Sequence, residues 1–307
     1  MADCGTPEFE ITEVGRPIHG PTPPGGAEPC SRTSPLTDAE RAEVIALISG
    51  GRLARCTVEL PDRLRTRDWE SVVLVMLGLD QRLRWPAVGW KIGAASEEVR
   101  RLEGMPSPSP GRLYRDRIFA SSAEIPASLF INYRETECEF AFSLGRDLSP
   151  RNLEYAEAEV AEAVDLAFPV LEIGDMVFAD WYWASGYFGP SLDNGGGAAL
   201  VYGQPIVSWE SRDLGRAHVE LRLNGRFVKD GFGSAAMGNP LTSLTWMANW
   251  ASGRGIGLKQ GEVISTGTIT GHCFVAGGDQ VVADFGPLGR VEVNYALPHP
   301  QNGVQGR

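Results

Sequence analysis

The 307-residue chain has no apolar run of the ~18–20 residues that a membrane-spanning helix requires. Its N-terminus also lacks a basic region followed by an apolar stretch, so no signal peptide is expected and the expected compartment is the cytoplasm. Histidine and cysteine are scarce. The four histidines (His19, His218, His272, His299) are dispersed, and the five cysteines (Cys4, Cys30, Cys56, Cys138, Cys273) form no CxxC pair. Such spacing suggests neither a disulfide framework nor a cysteine zinc site, and points any metal toward oxygen ligands. Positive charge is short as well. With 28 Lys and Arg against 39 Asp and Glu, the net charge is −11 and the pI near 5.0, which argues against nucleic acid or an anionic membrane as the main partner. An acidic protein that binds an anionic small molecule needs a local positive centre, either a Lys/Arg cluster or a bound cation.

Residues 1–35 include GRPIHGPTPPGGAEPCSRTSP, rich in Pro and Gly and poor in periodic apolar residues, and read as a flexible or loosely docked arm. A helical cap is expected over residues 36–85. In SPLTDAERAEVIALISGGR, Thr37 can cap a helix and Glu40 completes a capping box, while Ala39, Val44, Ile45 and Ile48 form an apolar stripe. A second helix is expected over RDWESVVLVMLGLDQRL. From residue 86 to 307 the texture changes to short β segments separated by Gly and Pro: AVGWKIG, ECEFAFSLG, AALVYG, HVELRLNG, EVISTGTITG, QVVADFG and RVEVNY. Two helices are predicted to interrupt them, LEYAEAEVAEAVDLAF and PLTSLTWMANWASG, the latter capped by Asn239 with Pro240 at its first position. Asn224-Gly225 reads as a tight hairpin. Without sustained strand–helix alternation, a doubly wound parallel sheet is not expected and the class is α+β.

Three places carry chemistry. In TECEFAFSLGRDL, strand alternation puts Glu137 and Glu139 on one face with the small Ala141 and Ser143, and Cys138, Phe140, Phe142 and Leu144 on the other. By itself this fits either a solvated strand face or a carboxylate pair built for a purpose. Glu172 is embedded in AFPVLEIGD, where an isolated carboxylate costs several kcal/mol unless it meets a cation or a set of donors. An arginine would serve; so would Mg²⁺ or Mn²⁺, which take oxygen ligands and keep exchangeable waters. Lys91, inside GWKIG, is either a lysine snorkelling from a strand end or a desolvated acid/base group with a depressed pKa.

In order along the chain, Lys91 in GWKIG, the ECE pair, Glu172 in PVLEIGDMVFADW, the DN of SLDNGGG, GNPLTSLTWMANW, LKQGEVISTGTITG and DFGPLGRVEVNY resemble the 2-keto-4-pentenoate hydratases and the similar 4-oxalocrotonate decarboxylases. Both belong to the fumarylacetoacetate hydrolase superfamily, and the resemblance covers roughly residues 37–297. It implies a mixed β-roll core behind the helical cap, a Mg²⁺ or Mn²⁺ ion held by Glu137, Glu139 and Glu172, and a homo-oligomer. It also implies catalytic roles for Lys91 and for Asp116 in GRLYRDRIF, where the family often carries an acidic doublet and this chain has Arg115-Asp116-Arg117.

The reaction implied is metal-dependent hydration of a 2-hydroxy-2,4-dienoate to a 4-hydroxy-2-oxo acid. Lys91 would move protons, and Ser265, Thr266 and Thr268 would be candidates for holding the substrate carboxylate. Decarboxylation of a 2-oxo dicarboxylic acid is the first alternative. Hydrolytic C–C cleavage of an acylpyruvate, which usually needs a histidine–acid pair, is the second; of the histidines only His272 is placed to reach the site. A non-catalytic binding protein is disfavoured by the intact Lys91 and three glutamates. In DWYWASGYFG, Trp183 and Tyr187, with Trp181, Tyr182 and Phe188, belong either to the distal pocket, accommodating a bulkier substrate tail, or to an interface or core patch.

Overall fold

The computed structural model describes residue 30, residues 32–179 and residues 188–297. Most of the expected N-terminal arm, and Trp181, Tyr182, Trp183 and Tyr187, lie outside the described residues. Helix α1 spans Asp38–Ala54 and is capped as expected. The Thr37 hydroxyl accepts from the Glu40 N–H, and the Glu40 carboxylate accepts from the Thr37 N–H at 2.8 Å. Val44 and Ile48 are buried, Ile45 is half-buried and Ala39 is exposed. Helix α2, Trp69–Leu83, is capped by Asp68, which accepts from the Ser71 N–H. Val44, Ile48, Val72, Val75 and Leu79 join the helices in one apolar cluster, which also takes in Met176, Val177 and Phe178 and so ties them to the β body. No helix among the described residues is long and apolar enough to cross a membrane.

Two mixed sheets form the body. The eight-stranded sheet runs β2 (Ser109–Tyr114), β1 (Ala87–Gly93), β10 (Val263–Ser265), β5 (Glu135–Leu144), β6 (Val164–Gly174), β7 (Gly197–Tyr202), β3 (Ile118–Ala120), with β11 (Cys273–Phe274) paired to β5. The five-stranded sheet runs β4 (Ala123–Ile125), β13 (Arg290–Tyr295), β12 (Gln280–Asp284), β8 (His218–Leu223), β9 (Arg226–Phe232). Pairs β1–β10, β3–β7 and β4–β13 are parallel and the rest antiparallel. The β8–β9 hairpin turns on Asn224 and Gly225, both at positive φ (52° and 77°), as a tight primed turn requires. Helix α3 (Pro240–Gly253) starts as expected, with Asn239 accepting from the Leu241 N–H.

Register decides which side chains share a face. Glu137 pairs with Glu172 across β5–β6, Ala141 with Ser265 across β5–β10, and Ser265 with Lys91 across β10–β1. Directly paired residues project to the same side, so one face of the large sheet carries Glu135, Glu137, Glu139, Glu172, Ser265 and Lys91. The other face carries Trp90, Ile92, Phe140, Phe142, Leu171 and Ile173, all buried in the main core. Each such side chain contributes about 1.5–3 kcal/mol on burial, so the apolar face locks the register that sets the polar one.

Two expected elements are corrected. LEYAEAEVAEAVDLAF is helical only over Glu157–Ala161; from Val164 the chain is the strand β6. Its Ala and Glu favour a helix, but pairing with β5 on one side and β7 on the other buries Ala167, Leu171 and Ile173, and that outweighs propensity. Pro169 is tolerated inside β6. Its carbonyl accepts from the Gly203 N–H, so its missing N–H faces the β7 side just beyond the last pair, Val170–Tyr202. In EVISTGTITG the strand stops at Ser265, because Gly267 at φ 102° turns the chain back over Glu139.

Candidate active site

Glu137, Glu139 and Glu172 each place a carboxylate oxygen within 4.8 Å of the others. Glu139 and Glu172 are buried, and the Glu137 side chain is 12% exposed, so the cluster is reached from the Glu137 side. Glu139 Oε2 accepts from Ser265 Oγ at 2.5 Å and from the Gly267 N–H at 2.9 Å. Lys91 Nζ lies 2.9 Å from Glu172 Oε1 and donates to the Gly195 carbonyl at 2.5 Å. Burial pushes the Glu139 carboxyl well up, and the neighbouring Glu172 and Glu137 add to the rise. Burial likewise raises Glu172, with Lys91 opposing it.

Lys91 is buried rather than snorkelling; burial alone would lower its pKa, but Glu172, Glu139 and Glu137 together hold the ammonium above its usual range. One ammonium faces three carboxylates here, and Glu137 Oε1 and Glu172 Oε2 are buried without a hydrogen-bond partner. Hard oxygen donors in excess over positive charge make this a candidate metal-binding triad.

Backbone conformation prepares the lysine's seat. Asn194, Gly195 and Gly196 are consecutive left-handed residues, at φ 57°, 64° and 71°. A Cβ on Gly195 would come within 3.1 Å of Lys91 Cε, and one on Gly111 within 3.0 Å of Lys91 Cγ, so glycines leave the room the lysine occupies. The DN pair secures this turn. Asp193 takes a two-pronged ion pair from Arg52 of α1 (2.8 and 2.6 Å) and accepts from the Val177 N–H; Asn194 bridges the N–H and carbonyl of Arg112 on β2 (2.6 and 3.0 Å).

Above the cluster opens a cleft of about 670 Å³ including its mouth, lined by Lys91, Glu137 and Glu172 and by residues whose roles the sequence left unassigned. Glu135 is one; it continues the Glu137/Glu139 face and is buried, fitting against Gly174, where a Cβ would lie 2.3 Å from Glu135 Oε1. His272 reaches the cleft, with Nδ1 in ionic contact with Glu135 (3.0 Å) and Glu137 (3.3 Å). Tyr133 lines it as well, its hydroxyl held well above the usual range by burial first and by Glu135 second.

The hydroxyl candidates separate. Thr268 lines the cleft, but Ser265 and Thr266 are fully buried, and their hydroxyls serve Glu139 and the Phe140 carbonyl. Asp116 is exposed on the 3₁₀ turn Arg115–Arg117 and does not line the cleft. Phe188 packs edge-on against Trp69 at 5.3 Å rather than lining the cleft; Trp183 and Tyr187 lie outside the described residues.

The family profile of the fumarylacetoacetate hydrolase C-terminal domain matches residues 114–294, which includes all three glutamates. The chain belongs to the fumarylacetoacetate hydrolase family. Within this enzyme family it is 32% identical over 217 residues to the 2-keto-4-pentenoate hydratase of Paraburkholderia xenovorans (strain LB400), covering 71% of this chain and 78% of that one. It is 30% identical over 237 residues to the 2-hydroxyhexa-2,4-dienoate hydratase of Comamonas testosteroni, covering 76% and 88%. Its fold is similar to that of the 4-oxalocrotonate decarboxylase from Pseudomonas putida G7 complexed with magnesium and adipate, with a TM-score of 0.75, 23% identity, and coverage of 86% of this chain and 100% of that one. The α+β architecture is thus that of the family.

Proposed function

We propose that this member of the fumarylacetoacetate hydrolase family is a divalent-cation-dependent hydratase, adding water to a 2-hydroxy-2,4-dienoate to give a 4-hydroxy-2-oxo acid. The observation that carries the reading is the cross-strand pair Glu137–Glu172, gathered with Glu139 beside a buried ammonium in a chain whose relatives are named hydratases. Mg²⁺ or Mn²⁺ fits the oxygen-only donor set and the two buried carboxylate oxygens that lack a hydrogen-bond partner, and Glu137, Glu139 and Glu172 would hold it. When bound, such a cation supplies the positive centre for the substrate's carboxylate and 2-oxygen and polarises them as a Lewis acid.

The chain's own groups then move protons and place the substrate. Lys91 Nζ, held as an ammonium by Glu172 and the Gly195 carbonyl, would give a proton to carbon 5 and, once neutral, take the proton of the 2-hydroxyl. That leaves a 2-oxo-3-enoate, in which carbon 4 accepts the water oxygen and carbon 3 the second proton. His272 and Glu135, at the edge of the carboxylate cluster, are placed to orient that water, and Thr268 offers a hydroxyl on the facing wall. A homo-oligomer belongs to the same reading and is tested by sedimentation.

The test uses metal-stripped protein with and without Mg²⁺ or Mn²⁺, acting on 2-hydroxypenta-2,4-dienoate and on 4-oxalocrotonate. Metal-dependent loss of dienol absorbance with formation of a 4-hydroxy-2-oxo acid and no CO₂ supports the hydratase. CO₂ release from the diacid replaces it with the decarboxylase. One observation favours a second reading: the His272–Glu135 contact is the histidine–acid pair that C–C hydrolysis of an acylpyruvate calls for. Cleavage of such a substrate into pyruvate and a free acid, without hydration of the dienoate, would establish it.

A further inference from the structure

The five-stranded sheet carries none of the clustered glutamates, yet one of its strands touches the candidate site. Strand β9 is the edge of that sheet, and across β8–β9 Leu221 pairs with Lys229 and Val219 with Gly231. Directly paired residues project to one side, and Val219 and Leu221 are fully buried, so Lys229 and Gly231 lie on the core-facing side of an edge strand. There Lys229 Nζ donates to the backbone carbonyl of His272. Gly231 meets Ile269 so closely that a Cβ would lie 2.1 Å from the Ile269 carbonyl oxygen. Resting on the placement of His272 in the reading above, we propose that Lys229 is a positioning residue. It fixes the His272 backbone, and through it the ring that meets Glu135 and Glu137 in the cleft.

The chain around His272 has little support of its own. Gly271 precedes it in the left-handed region (φ 70°), and the strand that follows, β11, has only two residues. Upstream, the loop is fastened to β5: the Ile269 N–H donates to the Cys138 carbonyl at 2.8 Å, and Thr270 Oγ1 accepts from the Cys138 N–H at 3.3 Å. Those bonds fall on the far side of Gly271, whose wide backbone freedom would let His272 move independently of them. The Lys229 bond acts on His272 itself, while Gly231 seats the base of the loop at Ile269. An ammonium donating to a carbonyl is also a charge-assisted bond, roughly twice as strong as a neutral one.

An inward-pointing lysine on an edge strand has a simpler use, since it deters pairing with a second chain. That use requires no fixed partner. Here the lysine is half-buried and donates to the residue whose ring enters the cleft, 43 positions along the chain. The two roles differ in their effect on catalysis. An edge guard leaves the His272 ring where it was, whereas a positioning residue affects turnover only while His272 is present.

The experiment is a double-mutant cycle on the full-length protein with Mg²⁺ in excess, using Lys229→Met, His272→Asn and the two combined, on 2-hydroxypenta-2,4-dienoate. Lys229→Met is expected to lower kcat at least about tenfold with KM changed less than about twofold, within the ~10²-fold that a misplacement of ~1 Å can cost. In the His272→Asn background the same change should cost nothing further. Lys229→Arg, which keeps a charged donor, should recover most of the loss. Ring NMR of ¹³C-histidine-labelled protein at one pH reads the ring without turnover. Of the four histidines, His272 is the one whose signal vanishes in His272→Asn; it should shift in Lys229→Met and return in Lys229→Arg. A Lys229→Met loss that persists in full without His272 overturns the proposal, as does a His272 signal that stays in place. The two readings fail separately. A His272 signal that moves in Lys229→Met, in a protein that leaves the dienoate untouched, sinks only the hydratase. Hydration with kcat and the His272 signal unmoved by Lys229→Met sinks only the positioning role and leaves Lys229 as an edge guard.

Discussion

Glu137 and Glu172 stand directly opposite each other on adjacent antiparallel strands, each with a buried oxygen that has no hydrogen-bond partner. Like charges at directly opposed positions destabilise a sheet; Lys91 meets Glu172 at 2.9 Å, while Glu137 has, among the described residues, only the longer contact with His272 at 3.3 Å, which His272 shares with Glu135. Removing the Glu137 charge should therefore raise stability in the absence of metal. Glu137→Gln is expected to raise the Tm of metal-stripped protein by a few degrees, about 1 kcal/mol, while abolishing the rise in Tm that Mg²⁺ or Mn²⁺ gives the unmodified protein. Scanning calorimetry with and without each metal reads both effects. A variant that melts lower, yet still gains from metal, would contradict the carboxylate cluster as a cation site.

Lys91 should be irreplaceable for a steric as well as a chemical reason. Lys91→Ala is expected to lower kcat about 10²–10⁴-fold, the usual range for losing a positioned acid/base group. The same variant should bind Mg²⁺ at least as tightly by calorimetry, since the carboxylates lose their competing cation. Lys91→Arg keeps the charge but not the shape. The Gly195 carbonyl at 2.5 Å and Glu172 Oε1 at 2.9 Å seat a compact ammonium, which leaves little room for a planar guanidinium. Near-normal turnover by that variant would show that charge alone is what the seat provides.

Glu40 gives a local pH signature for the helical cap. The Arg32 guanidinium first, and then the Thr37 N–H, hold its carboxyl down at about 2, against an ordinary 4.5. A carboxyl depressed by folding contributes stability that is fully present above its unfolded pKa and is lost as pH falls through the folded value. The capping box of α1 should thus stay intact at pH 5 and come apart as pH drops from about 4.5 toward 2. A carbon-detected NMR titration of Glu40 should show the low midpoint, and Arg32→Ala should move it upward. A midpoint near 4.5 in the unmodified protein would mean that the pair does not hold in solution.

What the sequence made legible was local or periodic. Thr37 and Glu40, three residues apart, mark the start of α1, and Asn239-Pro240 marks α3, because caps depend on immediate neighbours. Period-two alternation put Glu137 and Glu139 opposite Phe140 and Phe142. The same parity extends to Glu135, two residues earlier, so that third carboxylate of the face was readable although it carried no role. The segment at residues 153–168 misled, because its Ala and Glu state a helical preference while its pairing with β5 is invisible until both strands are placed. Sequence separation hides the remainder. His272 meets Glu135 only because β11 pairs with β5, and Arg52 meets Asp193 across 141 residues.

That last pair leads to the final prediction, since it connects the helical cap to the lysine. Arg52 on α1 grips Asp193, the residue before the left-handed turn whose Gly195 carbonyl accepts from Lys91 Nζ. Both side chains are at most 5% exposed, so removing one partner strands the other and should cost about 3–5 kcal/mol. Asp193→Asn keeps the shape and the acceptor oxygen for the Val177 N–H but loses the charge; it is expected to lower Tm by roughly 5–10 °C. Stability alone does not test the link to the site. If the turn positions Lys91, the folded fraction of Asp193→Asn should show kcat reduced at least about tenfold with KM nearly unchanged, and the pH profile of kcat should move as the lysine loses its fixed partner. Arg52→Lys, which keeps a charge but not the two-pronged grip, should fall between the variant and the unmodified protein. A lowered Tm with kcat and pH profile intact would confine the pair to holding the cap on the body.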